Sequence, residues 1–97
     1  MFVLDEVLIE EYSRLKRMKS QMEKDYLNLP DGYISQKRIN GCIYYYLQHR
    51  EGKKVVSRYI KPAEVENIRT LISRKKSLKA SLNNIEIEMK KIKRVIK

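Results

Sequence analysis

Residues Tyr33 to Ile60 read YISQKRI, NG, CIYYYLQHR, EGK and KVVSRYI, and their pattern is the most informative about the fold. Three segments rich in β-branched and aromatic residues alternate with short segments that contain glycine, a pattern typical of strands joined by tight turns. Asn40-Gly41 is the strongest short hairpin signal, because a type I′ turn requires positive φ at both central residues. The sequence therefore predicts a three-stranded antiparallel β-meander over residues 33–60.

Alternation along the first predicted hairpin sorts its side chains into two faces. The face expected to form the core holds Ile34, Ile43, Tyr45 and Leu47. The exposed face is expected to hold Tyr33, Ser35, Lys37, Ile39, Cys42, Tyr44, Tyr46 and Gln48.

The turn around Gly52 leaves two registers open for the third strand. A three-residue loop ending on a left-handed Gly52 puts one set in the core, namely Val55, Ser57 and Tyr59, and the other set outside, namely Lys54, Val56, Arg58 and Ile60. A two-residue Glu51-Gly52 turn reverses the two sets. We favour the longer loop, because it leaves the charges of Lys54 and Arg58 in water.

A helix is predicted on each side of the sheet. Over residues 1–28 apolar residues recur at helical spacings, and a turn with proline and glycine follows. This first stripe contains Leu4, Leu8, Leu15, Met18 and Met22. From Pro62, a favourable first helical residue, to Lys97 a heptad pattern indicates a coiled coil. The second stripe contains Ile68, Leu71, Lys75, Leu78, Leu82, Ile85, Met89, Ile92 and Ile96, of which only Lys75 is polar.

Charge predicts how the helices pair. Residues 1–12 contain four acids and no base, whereas residues 88–97 contain five bases and one acid, so antiparallel packing places opposite charges side by side. Counting outward along the two helices from Asn28 and Pro62 sets Val3 beside Ile87 and leaves the last turns of the second helix overhanging. That overhang, with Ile92, Val95 and Ile96, is expected to form a homodimer seam or to fray into solvent.

The predicted fold is thus α+β in a single domain of residues 1–97. It consists of a helix over 1–28, a three-stranded antiparallel meander over 33–60, and a long helix over 62–97 that forms an antiparallel coiled-coil-like pair with the first.

Lys and Arg number 22 against 12 Asp and Glu, which gives a net charge of +10. In a domain this small the excess creates a positive field that attracts polyanions, unless the lysines only solvate helix surfaces. The candidate nucleic-acid contacts are Lys37, Tyr44, Tyr46, Lys54 and Arg58 on the exposed sheet face, and Arg38, Arg50 and Lys53, with Lys54, near the turns. A third basic cluster, Arg74, Lys75, Lys76 and Lys79, is interpreted as a solvated helix face.

Lys and Arg would neutralise phosphates, and tyrosines would stack on unpaired bases or pack against sugars. The alternatives are that the tyrosines only form cross-strand pairs and that the lysines near the turns only protect strand edges.

Residues that support catalysis or metal binding are sparse. His49 and Cys42, each the only one of its kind, are seven residues apart on one predicted strand and therefore face opposite ways. Asp31 and Glu51 are too far apart in sequence to indicate an acid–base pair, and the glycines lie in turns rather than in a phosphate loop. We expect no enzymatic activity, no metal and no cofactor.

The N-terminus lacks the basic region of a secretory signal, and no apolar run approaches the roughly 18 residues of a membrane span. A lone cysteine fits a reducing cytoplasm. We therefore expect a cytoplasmic protein with no membrane partner.

Several short motifs follow one another through the sheet region: Gly32-Tyr33-Ile34-Ser35, Asn40-Gly41, Tyr44-Tyr45-Tyr46-Leu47, Arg50-Glu51-Gly52, Val55 and Ser57-Arg58-Tyr59-Ile60. Together they resemble a small uncharacterised domain common in bacteria and their mobile elements, over residues 29 to 75. That domain has no assigned activity, so the resemblance implies a lineage rather than a function. The order of three strands and a helix is also similar to the arm-type DNA-binding domains of tyrosine recombinases, which implies a sheet that reads the major groove.

The sequence thus predicts a non-catalytic nucleic-acid-binding protein that uses its exposed sheet face, with duplex DNA favoured over RNA. The alternative is a phage or plasmid protein-interaction module, such as an anti-CRISPR-like inhibitor of a host nucleic-acid enzyme, that binds a host protein.

Overall fold

A computed structural model describes residues 3–96, with side chains from Asp5 onward. The elements are helix α1 (Val3–Leu27), strands β1 (Tyr33–Ile39), β2 (Cys42–Glu51) and β3 (Lys54–Ile60), a short 3₁₀ helix (Pro62–Glu64) and helix α2 (Val65–Val95). The predicted α+β order and the three-stranded antiparallel sheet are confirmed. Residues 1, 2 and 97 of the predicted helices, and the side chain of Leu4, lie outside the described residues.

The chain divides into two compact units. The sheet unit, Leu29–Lys76, contains the sheet and the first turns of α2, and the helical unit combines α1 with the part of α2 from Ser77 onward. The single domain predicted from chain length stays a prediction. Over residues 3–96, neither helix has an apolar stretch long enough to span a membrane.

Hairpin β1–β2 has the predicted register. Ile39 pairs with Cys42, and the φ angles of 51° at Asn40 and 80° at Gly41 have the sign that a type I′ turn requires at both positions. The predicted core face is confirmed around buried Leu47. Ile43 is the exception, with 44% of its surface exposed, because the core does not extend to the turn.

Hairpin β2–β3 has a different register from the favoured one. Glu51 pairs with Lys54 across a two-residue Gly52-Lys53 turn, in which Gly52 has a φ of 62°. The favoured three-residue loop is therefore wrong. The β3 side chains face the sides that the two-residue alternative predicted, although the turn is Gly52-Lys53 rather than Glu51-Gly52.

This register reverses the predicted environments along β3. Ile60, expected outside, pairs with Tyr45 and is 1% exposed, whereas Val55 and Tyr59, expected in the core, are 55% and 50% exposed. Ile60 and Leu47 pack with Val65 and Ile68 of α2.

The charges of Lys54 and Arg58 do not select the register, because α2 covers only the part of this face around Leu47 and Ile60. Lys54 and Arg58 lie on the core side of the sheet and are nevertheless exposed. Their charges therefore stay in water on either face, and the burial of Ile60 decides the register.

Truncation of β3 side chains tests this register. Ile60→Ala is expected to lower the free energy of unfolding by about 2–5 kcal/mol, because it removes fully buried atoms. Val55→Ala, the matched control on the exposed face, should cost less than about 1 kcal/mol. Urea unfolding followed by circular dichroism measures both losses. A larger loss from Val55→Ala than from Ile60→Ala would contradict the observed register.

Gly32 lies against the backbone of β2. It has a φ of 110°, and a Cβ atom at this position would overlap the carbonyl oxygen of Gln48. Gly52 also has a positive φ of 62°, but open space surrounds the corresponding Cβ position. The two glycines therefore separate the cost of a left-handed backbone from the cost of a close approach.

Alanine substitution at the two glycines is expected to give unequal losses of stability. Gly52→Ala should cost about 1–2 kcal/mol, the cost of a left-handed conformation for a residue with a Cβ atom. Gly32→Ala adds the steric overlap and should cost roughly 2 kcal/mol more. Thermal unfolding of the two variants compares them, and equal losses would rule out the close approach at Gly32.

Lys75 is a buried charge within the sheet unit, with a residue exposure of 9%. Its Nζ donates a hydrogen bond to the carbonyl oxygen of Leu29 at 3.1 Å and lies 2.5 Å from Oδ1 of Asp31. These contacts hold α2 against the segment that precedes β1. The solvated face predicted for the third basic cluster therefore holds for the exposed Arg74, Lys76 and Lys79 but is wrong for Lys75.

The helical unit contains the predicted antiparallel pair. Nζ of Lys19 lies 3.3 Å from Oε1 of Glu86, and Ile9 and Ile96 line one cavity. The apolar side chains between the two helices are Leu8, Tyr12, Leu15, Met18, Met22, Ile85, Met89, Ile92 and Ile96.

The predicted overhang of the second helix is wrong. Ile9 and Ile96 lie near each other, whereas the predicted pairing sets Val3 beside Ile87. The predicted alignment is wrong because the first turns of α2 pack in the core of the sheet unit. Helix α1 therefore packs against the part of α2 that follows Ser77. Ile92 and Ile96 thus belong to the core of the helical unit, and dimerisation itself stays a prediction.

Candidate nucleic-acid interface

The register of β2 and β3 gathers three tyrosines on the exposed face of the sheet. Tyr46 pairs with Tyr59 across the two strands, and their ring centroids are 6.0 Å apart in an edge-to-face arrangement. Tyr44, two residues along β2, has its ring centroid 6.5 Å from that of Tyr59. We call the surface formed by Lys37, Tyr44, Tyr46 and Tyr59 the tyrosine face.

Lys37 supplies the positive charge of this surface. It pairs with Tyr44 across β1 and β2, and its Nζ lies 4.9 Å from the ring centroid of Tyr46. At that distance the ammonium is attracted to the ring. The half-buried Tyr46 therefore contacts the ammonium of Lys37 and the ring of Tyr59. Tyr44 and Tyr59 are more accessible, with exposures of 36% and 50%.

Two polar side chains next to the tyrosine face are hydrogen-bonded to each other. Nε2 of Gln48 donates a hydrogen bond to Oγ of Ser57 at 3.0 Å, directly across β2 and β3. Tyr33, at the start of β1, completes this row and is 58% exposed. The row offers the aromatic surface of Tyr33, and the Gln48 amide is already hydrogen-bonded to the Ser57 hydroxyl.

The structure brings together only some of the residues predicted for the sheet site. Lys37, Tyr44 and Tyr46 share one face as predicted, but Lys54 and Arg58 lie on the opposite side of the sheet. Their placement on the exposed face is therefore wrong, since it depended on the register of β3.

The second predicted basic cluster is split between the two ends of the sheet. Arg38 pairs with Ile43 near the first turn, while Arg50, Lys53 and Lys54 lie at the second turn. Arg50 lies seven positions after Ile43 on β2, a distance of about 23 Å along a strand. These four cations do not form one patch.

Sequence reasoning did not include Tyr59 among the candidate site residues. The signal that could have found it is its neighbour Ile60, the last apolar residue before Pro62 begins the next helical segment. If Ile60 is buried against that helix, alternation turns Tyr59 to the other face.

Positive charge is concentrated in the sheet unit. Residues 29–76 contain eleven of the 22 Lys and Arg residues but only four of the 12 Asp and Glu residues. Most of these cations are exposed, so the unit that carries the tyrosine face also provides most of the field that attracts polyanions.

Cys42 and His49 lie on opposite faces of β2, and Nε2 of His49 lies 3.0 Å from Oε1 of Glu51. Cys42 is exposed beside the first turn. In the part of the chain that the structure describes, no three His, Cys, Asp or Glu side chains are grouped so as to hold a metal ion.

Residues 9–70 match a protein family described as a domain of unknown function, DUF6788, and the chain belongs to this family. The match confirms the resemblance to an uncharacterised domain, although it begins within α1 rather than at Leu29. No curated protein and no solved structure matches the chain.

Proposed function

We propose that this chain is a non-catalytic nucleic-acid-binding protein, with DNA favoured over RNA, that binds its ligand through the tyrosine face. The observation that supports this proposal most strongly is the grouping of Tyr44, Tyr46 and Tyr59 with Lys37 on an exposed sheet surface. Nucleic acid offers both groups that such a surface attracts, an anionic backbone and flat aromatic bases.

The charges of the sheet unit have two roles in this proposal. Lys37 is close enough to the rings to meet a phosphate next to a bound base, whereas Lys54, Arg58 and the other cations outside the tyrosine face act at longer range. They raise the local concentration of a polyanion and accelerate its encounter. The proposal therefore does not require Lys54 or Arg58 to contact the ligand.

The cellular setting is also proposed, and it rests on the sequence. Resemblance to a domain of bacteria and their mobile elements supports such an origin, and the lone Cys42 fits a cytoplasmic location.

A protein-interaction module is the second candidate, and a feature of the helical unit favours it. Ile9, Tyr12 and Ile96 line an open, largely apolar groove, with Ser13 and Lys93 at its sides. Grooves of this kind receive apolar side chains of a partner helix. A phage or plasmid inhibitor of a host nucleic-acid enzyme would bind its host protein there.

A salt titration tests the leading proposal. Fluorescence anisotropy with labelled single-stranded and duplex oligonucleotides should detect binding that weakens at least tenfold between about 50 and about 200 mM salt, as expected for several phosphate contacts. Lys37→Gln should weaken binding severalfold. Lys76→Gln, which removes the same charge from an exposed position on α2, serves as the matched control and should have a smaller effect.

The outcomes separate the two candidates. No binding of either oligonucleotide at about 50 mM salt would contradict nucleic-acid binding and leave the protein partner ahead. Equal losses from Lys37→Gln and Lys76→Gln would show that charge acts without a specific surface and would contradict binding at the tyrosine face.

A further inference from the structure

The position of Lys54 and Arg58 changes what kind of nucleic acid the tyrosine face can recognise. Side chains that read a duplex in its major groove are mainly Arg, Lys, Asn and Gln, which reach base edges. The tyrosine face has three aromatic rings and one lysine, and the neighbouring Gln48 is bonded to Ser57. It is therefore poor in groups that read base edges and rich in groups that stack.

The rings of Tyr44 and Tyr59 are accessible to a ligand, and contacts with neighbouring side chains hold them in place. Tyr59 is 50% exposed and Tyr44 is 36% exposed, so each can offer ring surface to a ligand. Tyr46 contacts the ring of Tyr59 and the ammonium of Lys37, which restricts the rotamers of its neighbours. Rings fixed before binding lose less conformational entropy when a ligand arrives.

A duplex cannot use such rings well, because its bases already stack on one another and present only their edges. Unpaired bases can turn their faces outward and stack on aromatic side chains. The centroids of Tyr44 and Tyr59 are 6.5 Å apart and their ring planes are inclined by 56°, so two bases stacked on these rings must be splayed apart, as unpaired bases can be. Two neighbouring bases can thus meet two different rings.

We infer that the ligand of the tyrosine face is single-stranded nucleic acid, bound by stacking of adjacent bases on Tyr44 and Tyr59. Tyr46 acts as a positioning residue, and Lys37 meets the phosphate between the bases. This inference rests on the proposed function and replaces the duplex that the sequence favoured. Stacking accepts every base, so binding is expected to depend little on sequence.

Three ligands test the inference: a single strand of about 12 nucleotides, a duplex of about 12 base pairs, and a single strand of the same length with abasic sites at its centre. The intact strand should bind at least tenfold more tightly than either of the others. The duplex carries more phosphates and the abasic strand the same number, so electrostatics alone would not produce this order. Because the chain contains no tryptophan, quenching of tyrosine emission should accompany binding of the intact strand.

Paired variants assign the stacking to individual rings. Tyr44→Leu and Tyr59→Leu should each weaken binding of the intact strand by between about fivefold and about 100-fold and leave duplex binding unchanged. Tyr44→Phe and Tyr59→Phe retain the ring and should stay within about twofold of the wild type. Should a leucine variant unfold, the comparison with the abasic strand still decides whether bound bases stack on the protein.

Two results would overturn the inference while leaving nucleic-acid binding in place: duplex bound as tightly as the intact strand, or abasic strand bound as tightly as the intact one. Absence of binding to all three ligands at low salt would instead overturn the proposed function.

Discussion

The burial of Ile60 is the constraint on which the sheet unit depends. Ile60 is the last residue of β3, and Pro62 opens the short helix that leads directly into α2. This short connection brings Val65 and Ile68 onto the same core as Ile60 and Leu47. Because a shift of one residue would turn every side chain of β3 to the other face, the position of Ile60 fixes the position of every other residue on that strand.

The exposed face follows from this constraint. With Ile60 turned inward, Tyr59 must turn outward, where it meets Tyr46 and Tyr44. A second contact reinforces the arrangement, since Lys75 holds α2 to the carbonyl of Leu29 and to Asp31. The only lysine in the apolar stripe of α2 is therefore structural, while the cations left in solvent give the sheet unit its positive field.

The parts of the fold that sequence reasoning predicted correctly are those set by local rules. Asn40-Gly41 requires its turn type whatever surrounds it, and the apolar stripe of α2 is defined by spacing alone. The register of β3 could not be predicted from local rules, because a two-residue and a three-residue loop around Gly52 are both compatible with the local sequence. The choice between them depends on contacts of β3 with α2. The predicted alignment of the two antiparallel helices was wrong for a related reason: the first turns of α2 belong to the sheet unit, which counting from Pro62 could not reveal. Because the predicted register of β3 was wrong, Lys37, Tyr44 and Tyr46 were placed on the correct face of the sheet and Tyr59 was not.

Nuclear Overhauser effects across β2 and β3 measure the register itself, because they report which residues face each other without any substitution. The account predicts contacts between the ring protons of Tyr46 and Tyr59 and between the side chains of Gln48 and Ser57, together with contacts from Ile60 to Val65. Contacts shifted by one residue, with Tyr46 facing Arg58 or Ile60 and the ring of Tyr59 among the core residues, would contradict the register and remove the tyrosine face.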